Sequence, residues 1–168
     1  MPAAGKSTIG VILAKAMGFR FVDSDLLIQE TEGRLLSEII VEEGIDSFIA
    51  IENRINAGIL AERSIISPGG SVVYGEEAME HLREIGTVVY LRLSYTVLKK
   101  RIGNPKKRGV VLKDGQSLKD LYKERCPLYE KYAHIIVDAD GLSVGQLMQK
   151  TREAIETFRN GKEKLGGT

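Results

Sequence analysis

The chain has 168 residues, of which 43% are hydrophobic and 28% charged, and its 24 basic and 23 acidic residues give a net charge of +1. These values predict one globular domain with a sizeable core, and the balanced charge gives no general attraction for nucleic acid or a membrane surface. The single cysteine, Cys126, excludes a disulfide framework. Since no signal peptide or long apolar run is evident either, we expect a cytoplasmic protein.

The chain opens with a phosphate-binding motif. Residues 2–8, Pro-Ala-Ala-Gly-Lys-Ser-Thr, match the second half of G-x-x-x-x-G-K-[ST], whose leading glycine would precede Met1. Apolar residues at helical spacing follow, so the loop would present backbone N–H groups and the positive end of a helix dipole to an anion. Lys6 would reach the β- and γ-phosphates of a nucleoside triphosphate, and the Ser7 hydroxyl would coordinate Mg²⁺. The other loop residues expected at the nucleotide are Ala3, Ala4, Gly5 and Thr8.

A P-loop normally follows a buried strand, and this chain has no residues ahead of the motif to form one. A start codon placed too late and a shortened chain are the two explanations. A chance match of Gly-Lys-Ser-Thr before an ordinary helix is the alternative to a P-loop, and the residues further along the chain argue against it.

Helices and short strands alternate along the rest of the chain, which predicts a parallel α/β sheet flanked by helices. Strand 87–93 is the clearest buried strand, because it is apolar on both faces along much of its length. Glycine and proline punctuate segment 103–116, which is expected to be a mobile loop, and 161–168 is expected to be a frayed tail. Helices are predicted at 6–17, 25–31, 35–43, 46–61, 75–84, 94–102, 117–131 and 143–159, and strands at 19–22, 64–67, 87–93 and 134–138.

Ligands of a parallel sheet bind at the carboxyl ends of its strands, and three candidate groups lie at such ends. The P-loop follows the absent strand, Asp23 and Asp25 follow the second strand, and Gly69-Gly70 follow the third. One carboxylate could hold a Mg²⁺-bound water and the other could orient an acceptor hydroxyl, which suffices for phosphoryl transfer. The alternative roles are helix capping for the carboxylates and a simple turn for the glycines.

Basic residues are concentrated between 99 and 108, where no acidic residue occurs. This segment is either a solvated helix end or a basic flap over a polyanion. Arg108 could close on the γ-phosphate and stabilise developing charge. Arg125, on the next helix, could bind an acceptor carboxylate with both arms of its guanidinium group. An ordinary surface position is the alternative for each arginine.

Together these residues resemble the shikimate kinase family from Met1 to about Ile155, and the stretch 125–129 is similar to the family's R-x-P-L-Y signature. The resemblance implies a P-loop NTPase-type, nucleoside-monophosphate-kinase-like fold in one kinase domain, 1–168, with a lid at about 103–116 and acceptor-binding helices at about 25–61. It also implies a monomeric cytoplasmic enzyme of the shikimate pathway that uses ATP and Mg²⁺ to phosphorylate shikimate. The matching residues are Gly5-Lys6-Ser7-Thr8, Phe21-Val22-Asp23-Ser24-Asp25, Phe48, Glu52, Gly69-Gly70, Val89-Tyr90-Leu91, Arg108 and Arg125-Cys126-Pro127-Leu128-Tyr129.

The resemblance also implies roles for individual residues. Lys6 would bind phosphate, Ser7 would ligate Mg²⁺, and Asp23 would support the metal through water. Asp25 would bind the acceptor hydroxyls and act as base or orienter. Acceptor contacts are implied for Gly69, Gly70 and Arg125, a lid role for Arg108, and stacking on adenine for Arg101.

Three positions depart from the family pattern. Ile49 stands where the F-R-x-x-E motif has the arginine that grips the shikimate carboxylate, and Arg54, about 140° around the same helix, is a poor substitute. A charged hydrogen bond contributes roughly 1.5–3 kcal/mol, or about 10- to 150-fold in affinity. Ser71 replaces the third glycine of a Gly-Gly-Gly turn, which is tolerable if its φ is negative. Gly109-Val110-Val111 replaces the P-L-L after the lid arginine, which predicts a looser lid.

Several functions stay open at this point. The leading one is a shikimate kinase-like enzyme whose acceptor is shikimate or, because of Ile49, another small polyol or hydroxy acid. A gluconate kinase-like or nucleoside-monophosphate kinase-like enzyme would share the P-loop and lid without requiring the R-x-P-L-Y match. A non-catalytic nucleotide-binding module or inactive fragment would follow from the loss of a mid-sheet strand. Each buried unpaired group would then cost roughly 1–3 kcal/mol, against a total stability of about 5–15 kcal/mol.

Overall fold

The computed structural model describes residues 1–103, 110, 112–113 and 115–165, with no description of the side chains of 163–165. Helices alternate with short parallel strands along these residues, as the sequence pattern predicts. The strands are β1 (Arg20–Asp23), β2 (Ser64–Ser67), β3 (Val89–Arg92) and β4 (Ile135–Asp138). The helices are α1 (Lys6–Met17), α2 (Ser24–Glu32), α3 (Leu36–Ala57), α4 (Glu76–Ile85), α5 (Tyr95–Ile102), α6 (Leu118–Tyr132) and α7 (Val144–Leu165).

Two helix predictions need correction. The predicted helices 35–43 and 46–61 form the single helix α3, which ends at Ala57 and is kinked where Gly44 takes φ 84° and ψ 173°. Glycine adopts a positive φ without steric cost, so the chain bends there and the helix resumes. The last helix, α7, continues to Leu165 and therefore covers part of 161–168, where a frayed tail was expected.

The four strands form two separate parallel pairs. β1 pairs with β2, so that Phe21 lies opposite Ile65, and β3 pairs with β4, so that Tyr90 lies opposite Ile136. Residues of β2, β3 and α1 line an apolar cavity of about 520 Å³. The pairing is parallel, as predicted, but the described strands form two separate pairs, and one strand of each pair lines the cavity.

Two apolar clusters stabilise the fold. The larger one joins α1, α4, α6 and α7 to β3 and β4. The smaller one lies between α2 and α3 and contains Ile28, Ile39 and Phe48. The fully buried Ser24 hydroxyl donates a hydrogen bond to Asn56 Oδ1 at 2.8 Å and ties these two helices together. The region predicted to bind the acceptor thus has a core of its own. Within the described ranges, no helix is both long and apolar enough to cross a membrane.

Candidate active site

The loop before α1 has the backbone form that phosphate binding needs. Gly5 precedes α1 in the left-handed region, with φ 93° and ψ 14°, and Ala3 also has a positive φ of 55°. No side chain caps the start of α1, so its first N–H groups are available to a ligand. Ser7 and Thr8 are exposed at this end of the helix, whereas Ala4 is buried below it.

Lys6 is a half-buried residue at the centre of the site. Its Nζ atom donates a hydrogen bond to the Met1 carbonyl oxygen at 3.2 Å. Burial lowers the pKa of Lys6, the nearby Asp25 carboxylate opposes this shift, and the positive charge of Arg125 adds to it. A bound phosphate group would supply the negative charge that favours the ammonium form.

The two predicted magnesium ligands lie on either side of Ser67, at the carboxyl end of β2. The Ser7 and Ser67 hydroxyl oxygens are 3.3 Å apart, and the register of β1 and β2 places Asp23 opposite Ser67. Asp23 Oδ1 also accepts the N–H of Asp25 at 3.0 Å, so the capping alternative holds for Asp23. Capping occupies one carboxylate oxygen and leaves the other for a metal-bound water. Ser67 was not singled out from the sequence, because a serine at a strand end carries no distinctive pattern.

The described residues contain no group of three or more His, Cys, Asp or Glu side chains that could hold a metal ion. A magnesium ion bound with nucleotide phosphates does not need such a group. It keeps several waters and uses one or two protein oxygens beside the phosphates. The arrangement of Ser7 and Asp23 therefore fits Mg²⁺ that arrives with a nucleotide.

The turn after β2 brings the predicted acceptor-binding groups together. A Cβ atom at Gly69 would lie 2.9 Å from Asp25 Oδ1 and would also collide with Glu52 Oε1. A Cβ atom at Gly70 would lie 3.2 Å from Arg125 Nη1. Gly69 thus brings the backbone close to two carboxyl groups, and Gly70 brings it close to a guanidinium group. Ser71, which follows them, has φ −86°, so the missing third glycine causes no backbone strain.

Aromatic residues hold Arg125 at this turn. Arg125 is only 4% exposed, and its Nε atom donates a hydrogen bond to the Tyr74 hydroxyl at 3.1 Å. The guanidinium carbon lies 5.0 Å from the centre of the Tyr74 ring. The Tyr129 hydroxyl donates to the Gly70 carbonyl oxygen at 2.6 Å, which fixes α6 against the turn. Tyr74 was missed from the sequence because it lies in a single 3₁₀ turn and meets Arg125 only through the tertiary fold.

Glu52 lies at this turn, although no role was predicted for it from the sequence. It is 1% exposed, and neither carboxyl oxygen has a hydrogen-bond partner among the described residues. Burial raises the pKa of Glu52 to about 7, the Ser71 side chain opposes the shift, the Asp25 charge adds to it, and Arg125 and Lys6 oppose it. Its place in the F-x-x-x-E stretch was the available signal, but the pattern does not show that the carboxyl group is buried.

The roles of the two predicted nucleotide-binding arginines stay predictions. Arg108 and most of the predicted lid lie outside the described residues, so the lid role stays a prediction. Arg101 is half-buried in the last turn of α5, and its stacking on adenine also stays a prediction.

The Lys6 side chain, the Ser7 hydroxyl and the carboxyl groups of Asp23 and Asp25 lie with the Gly69-Gly70 turn at one end of the strands. This arrangement suits phosphoryl transfer to a small molecule. The fold and site therefore define a P-loop small-molecule kinase. A family model described as shikimate kinase matches residues 2–156. The chain belongs to the shikimate kinase family.

Individual relatives agree with this assignment. Shikimate kinase 2 of Yersinia pseudotuberculosis is 35% identical over 154 residues, which cover 87% of this chain and 88% of the relative. The structure of a shikimate kinase from Acinetobacter baumannii in complex with shikimate has a TM-score of 0.81 and 29% identity, and the match covers 92% of this chain and 88% of that one. A gluconokinase from Sinorhizobium meliloti, at a TM-score of 0.51 and 18% identity over 97% of this chain and 90% of its own, shares the fold alone.

Proposed function

We propose that this protein transfers the γ-phosphoryl group of ATP to a hydroxyl group of shikimate. The observation that supports this proposal is the turn after β2, where Asp25 lies close to Gly69 and Arg125 lies close to Gly70. A carboxylate and a guanidinium group at one turn suit a ligand that has hydroxyl groups and a carboxylate. The shikimate complex of the relative from Acinetobacter baumannii supports the same acceptor.

The residues of the P-loop would bind and neutralise the nucleotide. The Gly5 backbone and the α1 N-terminus would hold the phosphates, and Lys6 would stabilise the negative charge that develops on the transferred group. Ser7 would ligate Mg²⁺ and Asp23 would support it through water, and the ion would neutralise charge on the β- and γ-phosphates. Roles for Arg101 at adenine and Arg108 on a closing lid are part of the proposal.

On the acceptor side, Asp25 would orient the attacking hydroxyl and accept its proton. Burial raises the pKa of Asp25, the Asp23 charge raises it further, and Lys6 lowers it. A raised pKa makes the carboxylate a better proton acceptor. Arg125 would bind the carboxylate of shikimate. We further propose a monomer that works in the cytoplasm on these two small substrates, without nucleic acid or a membrane as partner.

Position 49 is where acceptor binding is expected to differ from the family. Ile49 is half-buried and packs against the apolar cluster between α2 and α3, so it supplies no charge to a carboxylate. Loss of one charged hydrogen bond weakens affinity by about 10- to 150-fold. We therefore expect shikimate to bind through one arginine, with a raised KM. Another small polyol or hydroxy acid is the second candidate acceptor for the same reason.

The test is Mg²⁺- and ATP-dependent ADP release with shikimate, beside a panel of small hydroxy acids and polyols. Saturable turnover of shikimate, reduced about 10²-fold in Asp25→Asn, is the expected result. Turnover of a panel compound in place of shikimate would overturn the proposed acceptor while keeping the kinase. Nucleotide binding without turnover of any compound would overturn the proposal in favour of a non-catalytic nucleotide-binding module.

A further inference from the structure

The carboxyl group of Glu52 is the starting point of a further inference, which rests on the proposed function. Its two oxygens are buried and lack hydrogen-bond partners in the described part of the chain. Buried polar groups are nearly always paired, because an unpaired one loses its hydration without compensation. Glu52 Oε1 comes so close to the turn that a side chain at Gly69 could not fit. The unpaired carboxyl group therefore points at the place where the acceptor is proposed to bind.

The groups around Glu52 act in opposite directions on its ionisation: burial and the Asp25 charge favour the neutral form, whereas Ser71, Arg125 and Lys6 favour the ionised form. Asp25 of α2 faces it with the same charge, while Lys6 of α1 and Arg125 of α6 provide the nearby positive charges and Ser71 provides a hydroxyl group. Lys6 and Arg125 are also the groups proposed to bind the phosphates and the acceptor carboxylate. When ATP and the acceptor are both bound, Lys6 and Arg125 would interact with these ligands as well as with Glu52.

Helix α3 itself brings no cation to Glu52. Side chains three positions apart are neighbours on a helix surface, so residue 49 is the one that could pair with Glu52 from the preceding turn. An arginine there would provide a guanidinium group, but Ile49 packs into the apolar cluster between α2 and α3. The exchange of one residue thus removes an acceptor-binding charge and a possible partner of Glu52 together.

We propose that Glu52 is a positioning residue for the acceptor, that it acts as a neutral carboxylic acid, and that Ile49 keeps it neutral. In this form the Glu52 O–H group donates a hydrogen bond to an acceptor oxygen and replaces part of what an arginine at position 49 would contribute. When Glu52 loses its proton, its negative charge adds to that of Asp25 and repels an anionic acceptor. Burial raises the pKa of Glu52 to about 7, so this change falls in the neutral range.

The first test is the KM for shikimate between pH 6 and pH 8, at saturating ATP and Mg²⁺. The unaltered protein should show a KM that rises several-fold over this range, with a smaller change in kcat. Glu52→Gln keeps a neutral hydrogen-bond donor, so its KM should stay near the low-pH value throughout. A KM of the unaltered protein that does not change with pH, or one that changes equally in Glu52→Gln, would overturn the positioning role.

The second test exchanges residue 49. Ile49→Arg should lower the KM for shikimate at least tenfold and remove its dependence on pH, because the new cation pairs with an ionised Glu52. Part of this gain should be lost in the double variant Ile49→Arg and Glu52→Gln, in which the arginine lacks its anionic partner. Ala50→Arg, which adds the same charge at an exposed position of α3, is the matched control and should behave like the unaltered protein. Equal gains with and without Glu52 would overturn the coupling between the two positions.

A direct readout separates this inference from the proposed function. In a ¹³C NMR pH titration, the carboxyl carbon of Glu52, assigned by its absence in Glu52→Gln, should titrate near pH 7 in the unaltered protein. In Ile49→Arg the midpoint should fall to pH 5 or below. A midpoint at the ordinary value for glutamate in the unaltered protein would overturn the inference whatever the enzyme phosphorylates. If the midpoints are as expected but shikimate is not turned over, the proposed acceptor is overturned while the charge state of Glu52 is supported.

Discussion

The proposed phosphate side and the proposed acceptor side of the site are built in different ways. The phosphate side comes from consecutive residues, 3–8, which form one loop and the first turn of α1. The acceptor side is assembled from α2, α3, α6 and the turn after β2, which contribute Asp25, Glu52, Arg125 and Gly69. A continuous motif must be kept whole to bind phosphate. A site drawn from several elements can change at one position, here residue 49, while its other groups stay in place.

This comparison predicts that the largest loss follows a change in the continuous loop. Lys6→Ala should reduce kcat with shikimate about 10³-fold, the upper end of the range for removing one preorganised group that stabilises transition-state charge. Lys15→Ala, an exposed lysine of the same helix, is the matched control and should leave kcat unchanged. Steady-state ADP release gives both values. A loss below tenfold in Lys6→Ala would contradict the proposed phosphate site.

On the acceptor side, the largest loss is expected from Asp25. Asp25→Asn should lower kcat about 10²-fold with little change in the KM for ATP, because proton transfer by a positioned side chain contributes at least that much. Asp23→Asn is an informative partner, because asparagine still caps α2 but carries no charge. Its loss should shrink as the Mg²⁺ concentration is raised, whereas the loss in Asp25→Asn should not. The same Mg²⁺ dependence in both variants would contradict the separate roles.

The sequence predicts the features that lie in continuous segments better than those that are assembled from distant elements. The P-loop, the Asp23–Asp25 stretch and the Gly69-Gly70 turn were predicted because short local patterns specify both their conformation and their position at strand ends. The family resemblance rests on the same short patterns, and the match to the family model confirmed it. The pairing of Tyr74 with Arg125 and the burial of Glu52 arise from contacts between distant elements, which no local pattern encodes. The division of the sheet likewise depends on which strand edges meet in space.

The stability of the protein should depend on pH through the ionisation of Glu52. Its pKa is about 7 in the folded protein against a reference value of 4.5, so folding favours its protonated form. Stability should therefore fall as pH rises from about 4.5 to about 7 and stay at the lower level above that. The shift corresponds to about 3 kcal/mol at pH 8 by order of magnitude.

Glu52→Gln removes this titration, so its free energy of unfolding should exceed that of the unaltered protein at pH 8 and approach it at pH 5. Urea denaturation at the two pH values measures the difference. Glu62→Gln, an exposed glutamate outside the site, is the matched control and should show no such difference. The same stability difference at both pH values in Glu52→Gln would show that Glu52 titrates normally and is paired in solution.

The smallest effect we predict concerns the contact that holds the acceptor turn against α6. Tyr129→Phe removes the hydroxyl group that donates to the Gly70 carbonyl oxygen at 2.6 Å and keeps the buried ring. A neutral hydrogen bond contributes about 0.5–1.5 kcal/mol, so the KM for shikimate should rise roughly two- to tenfold, with kcat and the KM for ATP nearly unchanged. Tyr132→Phe, in the same helix, is the matched control, because the Tyr132 hydroxyl accepts from Lys131 and does not contact the turn. An increase confined to the acceptor KM would show that the turn is positioned by α6. An equal increase in the KM for ATP would mean that this contact also positions the nucleotide, which would contradict the independence of the phosphate side and the acceptor side.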